Sequence, residues 1–233
     1  MRILDIACGQ GALCRRLAEM GVEAVGVDAS PRLIEAARAH GAGAARLRFE
    51  VADARALERL PTEITATPFE AALCIMALMN MDPLELVLRG ASGLLKPGGA
   101  FVGVILHPAF RAPGQTSWGW EESDRRERGP RGASRPPAVR QYRRVDGYLS
   151  PGQMPITMNP GRAAHGSEPV TTLTFHRPIQ TYVRALSDAG FLLESLEEWP
   201  SMRRSQPGPR ASEEDRARRE IPMFLGFRAI KKA

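Results

Sequence analysis

The sequence predicts an α/β protein built on a doubly wound, mostly parallel sheet. Short apolar segments alternate with helical segments along most of the chain, as in repeated βαβ units. The apolar segments are almost continuous rather than alternating, which is typical of strands covered by helices on both faces. A length of 233 residues with 43% hydrophobic and 25% charged residues fits one large domain. This composition excludes collagen-like, coiled-coil and wholly disordered chains.

Five strands alternating with helices are predicted in the first 107 residues. Ser30 is the expected N-cap of the second helix, because Pro31 follows it at the first helical position. Gly21 and Gly41 are expected to end the first two helices. Strands are predicted at 2–7, 23–27, 45–51, 69–76 and 100–106, with helices at 12–20, 32–40 and 84–95.

Residues 108–177 interrupt this alternation with frequent Pro-Gly pairs. Such a length is unusual for a connection in a compact domain and is typical of a lid or a binding loop. Residues 139–149 and 170–176 alternate well enough for a β-hairpin or for two separate added strands. We therefore expect one domain over residues 1–233, with an insertion at 108–177 that forms a substrate lid or pocket.

The βα alternation resumes after the insertion. Pro178 precedes a helix predicted at 179–189, which Gly190 ends. A strand is expected at 191–196, a short helix at 213–220 and the last strand at 222–231.

The positive charge of the chain is concentrated in the insertion. The net charge is +6, and residues 108–177 account for +5 of it. A basic segment of this kind is either a nucleic-acid footprint or a solvated loop. The run Arg125–Arg135 is interleaved with Glu, Gly and Pro and lacks stacking aromatic residues, which favours the solvated loop.

Cysteine usage and the lack of long apolar runs indicate the cellular compartment. Cys8, Cys14 and Cys74 form no C-x-x-C pair, so we expect neither a disulfide framework nor a metal site. A reducing, cytoplasmic environment is the corresponding prediction. No apolar run approaches the ~18 residues of a membrane span, and Asp5 interrupts the first apolar run, so no signal peptide is expected.

The ends of the first three predicted strands carry residues suited to adenosine. The first strand leads into Asp5–Gly11, where Gly9 and Gly11 allow a sharp turn and close approach of a ligand. Asp28 ends the second strand and can accept both hydroxyls of a ribose. Asp53 follows the third strand and can accept from the adenine amine. Ligands of open parallel sheets bind beyond these strand ends.

A dinucleotide is an alternative ligand for such a site. Its fingerprint is G-x-G-x-x-G, and here Cys14 stands at the third position. Asp5 would repel a pyrophosphate, whereas it would attract the ammonium of a methionine moiety. An oxidoreductase of the Rossmann class stays open as a second interpretation.

Five segments together resemble the motifs of class I S-adenosylmethionine-dependent methyltransferases. The resemblance implies a seven-stranded sheet with the last strand antiparallel, S-adenosylmethionine as the cofactor and methyl transfer by in-line displacement. The segments, in order along the chain, are Leu4–Gly11, Val25–Ser30, Ala52–Ala54, Leu94–Gly99 and Asp188–Phe191.

The same resemblance implies a role for each cofactor-site residue. It places Ala7 and Gly9 beneath the methionine moiety, Asp5 at its ammonium, Asp28 at the ribose, Ala29 beside the adenine, Asp53 and Ala54 at the adenine edge, and Cys74 at the wall formed by strand four.

Two features depart from the family pattern. The chain begins inside the first strand, without the preceding helix that normally folds over the cofactor. We expect a truncated or mis-assigned start, or coverage by another element or chain, which leaves open a homo-oligomer and a non-catalytic subunit. Strand four leads into Cys74–Leu78 rather than the Asn/Asp-Pro-Pro-aromatic motif of adenine amino methylases. That difference favours a small-molecule acceptor over nucleic acid.

A general base is needed only for a poorly nucleophilic acceptor such as a hydroxyl. His107, at the end of strand five, is the first candidate, with packing or capping before Pro108 as the alternative. His176 is a second candidate base. Tyr142 and Tyr148 either line a pocket or are ordinary strand residues, and Trp118 and Trp120 either form an aromatic wall or anchor the insertion. The methionines either face an apolar substrate or belong to the core; they are Met76, Met79 and Met81. Cys8 is either a nucleophile or a small packing residue.

Overall fold

The computed structural model describes residues 1–122, 139–157, 168 and 170–233. Eleven strands and seven α-helices lie within this part of the chain. The strands are β1 Arg2–Ile6, β2 Glu23–Asp28, β3 Leu47–Val51, β4 Phe69–Ile75, β5 Leu95–Leu106, β6 Thr116–Glu122, β7 Val139–Val145, β8 Gly152–Thr157, β9 Thr171–His176, β10 Phe191–Trp199 and β11 Phe224–Lys231.

Seven of these strands form the central sheet, in the order β3-β2-β1-β4-β5-β11-β10. β1 to β5 run parallel to one another, and β11 runs antiparallel to both β5 and β10. The predicted seven-stranded α/β sheet with an antiparallel last strand is therefore confirmed. Strand order reverses between β1 and β4, which places the topological switch point at their carboxyl ends.

Five helices lie close to their predicted positions, and two short ones, at Thr62–Thr65 and Pro108–Arg111, were not predicted. Ser30 caps the second helix as expected, since its side chain accepts the N–H of Leu33 at 3.4 Å. The helices are α1 Ala12–Glu19, α2 Pro31–His40, α3 Thr62–Thr65, α4 Leu84–Leu94, α5 Pro108–Arg111, α6 Ile179–Asp188 and α7 Ala211–Glu220, with 3₁₀ turns at Ala54–Arg59 and Leu78–Asn80.

Two buried clusters cover the two faces of the sheet. The larger one packs α4 and α6 on the sheet through residues such as Phe69, Leu88 and Phe101. The smaller one packs α1 and α2 on β2 and β3, and its members are Cys14, Ala24, Ile34, Ala37 and Phe49. This sandwich explains why the strand sequences are almost continuously apolar.

The start of β5 differs from the prediction. The strand was predicted at 100–106 after a helix ending at residue 95, yet β5 already begins at Leu95. Leu95 pairs with Phe69 and Ala100 with Ala71, so the intervening residues form an irregularity within the strand rather than a turn before it. Gly98, with φ of 74°, supplies the conformation that this requires.

The described part of the insertion contains α5 and two small antiparallel sheets. The two segments predicted to be extended are β7 and β9, but they do not pair with each other. β7 pairs with β6, and β9 pairs with β8. The sequence analysis missed β6 and β8, because their Gly and Pro residues obscure the alternation. The basic run Arg125–Arg135 lies outside the described residues.

Two contacts attach the insertion to the C-terminal third of the chain. On α7, Glu213 accepts the backbone N–H of Gln141 at 2.9 Å, and Arg216 donates to the carbonyl of Gln141 at 2.9 Å. From α5, the Arg111 guanidinium donates to the carbonyls of Ile221 and Pro222, each at 3.2 Å. The insertion therefore packs on the segment that leads into β11.

Within the described ranges, no helix combines the length and the apolar character needed to cross a membrane.

Candidate functional site

The turn after β1 is held in left-handed backbone conformations. Ala7, Gly9 and Gly11 have φ values of 61°, 55° and 71°. The N–H of Gly11 donates to the carbonyl of Cys8 at 2.9 Å, which closes the turn directly before α1. Ala7 is strained in this conformation, because a Cβ atom disfavours left-handed backbone.

The two glycines of this turn have different surroundings. A Cβ on Gly11 would lie 2.5 Å from the ring of Phe49, so this glycine allows α1 to pack closely on the sheet. A Cβ on Gly9 would have no atom within 4 Å. Gly9 therefore borders open space at the switch point, where a ligand can approach the backbone.

Asp28 links the carboxyl ends of β1 and β2. Its Oδ2 accepts the N–H of Gly9 at 3.0 Å, and its Oδ1 accepts the N–H of Ser30 at 2.9 Å. Each carboxylate oxygen has a second lone pair beyond these two bonds. The orientation of Asp28 is thus fixed by the backbone while it keeps the capacity to accept from a diol.

Asp5 is a buried carboxyl near the end of β1. Its side chain is 3% exposed and accepts from the Cys14 thiol at 3.3 Å. Burial raises its pKa to about 6, with a further increase from the charge of Asp28 and an opposing effect of the Cys14 hydrogen bond. A bound cation next to this group would stabilise its ionised form.

Asp53 is engaged by a neighbouring arginine. Arg55 donates to its carboxylate from Nε and Nη2, with the shortest contact 2.6 Å, and these hydrogen bonds lower the pKa of Asp53. The next residue, Ala54, is buried, whereas Ala29 at the end of β2 is exposed. Asp53 therefore lies at the expected edge of the site, but its carboxylate is already shared with Arg55.

The cysteines near the site lie in packed surroundings. Cys74 is fully buried in β4, and burial followed by the nearby charge of Asp5 raises its pKa to about 12. A hydrogen bond with Cys8 and burial raise the pKa of Cys14. Cys8 packs against the cluster on α1 and α2, in agreement with its packing interpretation.

These residues together fit S-adenosylmethionine. The open approach at Gly9 suits a ligand that lies across the turn, and the buried carboxyl of Asp5 suits an ammonium group. Asp28 retains acceptor capacity for ribose hydroxyls. Among the described residues no group of three or more His, Cys, Asp or Glu could hold a metal ion.

Comparison with known proteins points to the same chemistry. A family model described as a methyltransferase domain matches residues 3–99. A solved S-adenosylmethionine-dependent methyltransferase from Mesorhizobium loti is 28% identical and superposes with a TM-score of 0.69 over 99% of this chain and 90% of its own. Residues 3–99 therefore match a methyltransferase domain, and the whole chain is similar to a solved S-adenosylmethionine-dependent methyltransferase.

Other similar proteins are less completely covered or more distant. The ubiquinone biosynthesis O-methyltransferase of Xanthomonas oryzae pv. oryzae (strain PXO99A) is 32% identical over 99 residues, which is 42% of this chain. The chain spans 40% of the length of that relative. The glycopeptide N-methyltransferase MtfA, solved with S-adenosylmethionine, shares the fold with a TM-score of 0.58 at 17% identity, over 99% of this chain and 86% of its own.

His107 lies at the carboxyl end of β5, where it was predicted. It is 1% exposed and stacks on Phe110 with 4.7 Å between ring centroids. Its Nδ1 accepts the N–H of Ala109 at 3.2 Å, so Nε2 carries the proton that faces Glu198 Oε1 at 2.7 Å. Both ring nitrogens are engaged, which matches the capping interpretation. A general-base role for His107 stays a prediction.

The second candidate base also has a structural partner. The Nε2 of His176 lies 2.8 Å from the carbonyl of Tyr148, and the Tyr148 hydroxyl accepts the N–H of Ile179 at 2.9 Å. His176 and Tyr148 thus join the end of the insertion to the start of α6.

The aromatic residues of the insertion stack on other parts of the chain. The guanidinium groups of Arg111 and Arg143 each lie 5.0 Å from the ring centroid of Trp118. Trp120 lies 4.8 Å from the guanidinium of Arg210, directly before α7. Tyr142 packs closely over Gly119 in the paired strand. These contacts match the anchoring interpretation of the two tryptophans.

The sequence analysis missed Arg177. It is 8% exposed, and its Nη2 donates to the carbonyl of Met81 at 2.8 Å and to Asp82 Oδ1 at 2.6 Å. A buried arginine is rare unless it is paired, and the mixed sequence of residues 171–176 before it gave no signal of its burial. Arg177 lines a small cavity next to His107.

Proposed function

We propose that this chain transfers the methyl group of S-adenosylmethionine to a small-molecule acceptor. The observation that carries the proposal is the contact of Asp28 Oδ2 with the Gly9 N–H at 3.0 Å, because it fixes an acidic acceptor beside an open glycine turn at the switch point. Asp5 adds a buried carboxyl in the same strand end.

Bound S-adenosylmethionine supplies a methyl group on a sulfonium that is a strong leaving group. The chain mainly supplies binding and alignment, which can account for a large part of the rate enhancement. Asp5 binds the ammonium, Asp28 accepts from the ribose hydroxyls and Gly9 admits the ligand to the backbone. Asp53 and Ala54 line the adenine edge, Ala29 flanks the adenine, and Cys74 closes the wall on β4.

The insertion and the named relative bear on the methyl acceptor. The insertion at 108–177 covers the carboxyl end of β5 through α5 and β9, and we assign it the role of acceptor pocket or lid. The Xanthomonas relative is named for ubiquinone biosynthesis, which supports a small-molecule acceptor here. Three free cysteines in 233 residues support a reducing cytoplasm as its compartment.

Isothermal titration calorimetry of the full chain with S-adenosylmethionine, with S-adenosylhomocysteine and with NADH tests the proposal. We expect saturable binding of the first two and none of NADH. Binding of NADH alone would indicate the oxidoreductase alternative, and binding of none at high protein concentration would exclude the active enzyme. Transfer of radiolabelled methyl groups to small-molecule pools then identifies the acceptor fraction.

A further inference from the structure

A small cavity of about 30 Å³ lies beyond the carboxyl ends of β4 and β5. The turn Leu78–Asn80, α5, β9 and α6 surround it. The residues that matter for its chemistry are Met79, His107, Arg111, Thr174, Arg177 and Tyr182.

Arg177 lines this cavity and keeps one donor without a well-formed hydrogen bond. Its Nη2 is occupied by the Met81 carbonyl and by Asp82, whereas its Nη1 is buried and has no partner of full hydrogen-bond geometry among the described residues. Tyr182 is the neighbouring hydroxyl: burial raises its pKa, and the charge of Arg177 and a hydrogen-bonding contact with it act in the opposite direction. A buried donor without a full acceptor is costly, so Arg177 and Tyr182 together favour an acceptor supplied by a ligand.

The charged side chains in the described lining of the cavity are those of two arginines, Arg111 and Arg177. Arg111 also lines it and, among the residues that the structure describes, has no carboxylate within 4 Å. Burial, and then the positive charges of Arg143 and Arg218, lower the pKa of Arg111 to about 10. No Asp or Glu belongs to the described lining. The carboxylates nearest to the lining, Glu198 at His107 and Asp82 at Arg177, are both more than half exposed and contact those residues from outside.

The size of the cavity selects among anionic groups. A cavity of roughly 10–15 Å³ holds one water molecule, so about 30 Å³ accommodates a planar group of two or three heavy atoms. A carboxylate has that size, whereas a tetrahedral phosphate carries two further oxygens that would need partners here.

We propose that this cavity binds a carboxylate of the methyl acceptor, with Arg177 Nη1 as its donor and Tyr182 as a neighbouring hydroxyl. The inference rests on the proposed methyl transfer and narrows its substrate to a carboxylic acid. Two strand spacings of ~4.8 Å separate β5 from β1 in the sheet. The anchored carboxylate and the accepting atom are therefore several bonds apart, as in an aromatic acid.

The test compares three probes of equal ring size by ¹⁹F NMR in the presence of S-adenosylhomocysteine: 4-fluorobenzoate, 4-fluorobenzamide and 4-fluorophenyl phosphate. We expect the carboxylate to bind roughly 10-fold to 100-fold more tightly than the amide, as for a hydrogen bond to a charged group. Equal binding of acid and amide, tighter binding of the phosphate, or binding of none of the probes would overturn the proposal.

Variants then assign the preference to Arg177. Arg177→Lys keeps a cation that reaches Asp82 but removes Nη1, and we expect it to lose most of the preference for the carboxylate. Tyr182→Phe should weaken carboxylate binding by a smaller factor. Arg184→Lys is the matched control, since Arg184 is an exposed arginine on α6, the helix that begins two residues after Arg177. An equal loss in the control would contradict the assignment.

Two further measurements distinguish failure of this inference from failure of the proposed function. Circular dichroism reports folding of each variant, and if Arg177→Lys does not fold, the comparison of probes on the unaltered chain decides alone. Calorimetry with S-adenosylhomocysteine is measured separately. Cofactor binding without a carboxylate preference overturns only this inference, whereas loss of cofactor binding in the unaltered chain overturns the proposed function.

Discussion

Asp28 and Gly9 are joined by a 3.0 Å hydrogen bond from the Gly9 N–H to Oδ2, across the ends of two adjacent strands. The backbone N–H of Ser30 donates to the other oxygen of the same carboxylate. The acid that we propose binds the ribose is therefore also a structural link between the two strand ends.

Asp28→Asn is expected to weaken S-adenosylhomocysteine binding by roughly 10-fold to 100-fold. Both oxygens of the Asp28 carboxylate accept backbone N–H groups. The amide of asparagine has only one oxygen, so one of these N–H groups would face the amide nitrogen and the side chain would no longer be held in place. Calorimetry measures the affinity. Asp188→Asn, at an exposed acid at the end of α6, is the control and should bind like the unaltered chain. Unchanged affinity of Asp28→Asn would remove Asp28 from the site.

The pKa of Asp5 predicts a pH-dependent affinity. Its value of about 6 in the folded protein means that the carboxyl is mostly protonated at pH 5 and mostly ionised at pH 7. Binding of the ligand's ammonium should therefore strengthen as the pH rises through about 6. Asp5→Asn should bind weakly with no such step, as measured by calorimetry at several pH values.

The raised pKa of Asp5 also makes the free energy of unfolding depend on pH, but this quantity falls as the pH rises. The folded pKa is above the unfolded value of 3.8, so the folded state binds more protons between about pH 4 and 6 and stability falls as the pH rises through that window. The difference corresponds to about 3 kcal/mol at neutral pH, and Asp5→Asn should recover much of it in urea unfolding. A variant less stable than the unaltered chain at pH 7 would contradict this.

Gly9 and Gly11 should respond differently to alanine. Gly11→Ala places a Cβ 2.5 Å from the Phe49 ring and should lower the free energy of unfolding by about 2–3 kcal/mol. Gly9→Ala should cost only about 1 kcal/mol of backbone strain, yet reduce cofactor affinity at least about 10-fold because its methyl group enters the open approach. Urea unfolding and calorimetry measure the two effects, and similar behaviour of both variants would refute the distinction.

Ala7→Gly should stabilise the protein. Ala7 has φ of 61°, a conformation that costs an L-residue about 1–2 kcal/mol. Glycine relieves that strain but loses more entropy on folding, so a net gain of about 0.5–1 kcal/mol in the free energy of unfolding is expected. A decrease would show that the methyl group of Ala7 contributes packing that outweighs the strain.

His107 should make stability sensitive to mild acid. Burial lowers its pKa below the ordinary 6.5, against the opposing effect of Glu198. The unfolded state then binds the extra proton, so stability falls as the pH drops from 6.5 towards the lower folded pKa. His107→Asn should lose this dependence and about 1–2 kcal/mol of stability at a pH of about 7.5.

His40→Asn is the control for that measurement, because His40 is exposed at the end of α2. Urea unfolding between about pH 5.5 and 7.5 should show the same slope for this control as for the unaltered chain. An unchanged slope in His107→Asn would assign the acid sensitivity to another group.

Local sequence patterns were sufficient to predict much of the fold and the candidate cofactor-binding residues at the ends of β1 and β2. Apolar runs, the Ser30-Pro31 cap and the glycine turn are encoded within a few neighbouring residues, and so are the acids that end β1 and β2. The Asp53–Arg55 pair is also local, yet the sequence could not decide between a ligand and an arginine as the partner of Asp53.

The acceptor side depends on contacts that are distant along the chain. The partner of His107 is 91 residues away, and the partner of Arg177 is 95 residues away. The pairing of β7 with β6 likewise crosses a segment without recognisable periodicity. Residue type alone cannot fix such contacts, since they follow from how the insertion packs on α6 and α7.

The attachment of Gln141 to Glu213 and Arg216 has a consequence for protein engineering. A chimaera that exchanges only residues 108–177 would separate the insertion from the helix that holds its backbone. The transplantable unit runs from the end of β5 through α7 to Pro222, and it leaves residues 3–99, which match the family model, as an interchangeable donor module. Grafting at these boundaries is a route to new acceptors with an unaltered methyl-donor half.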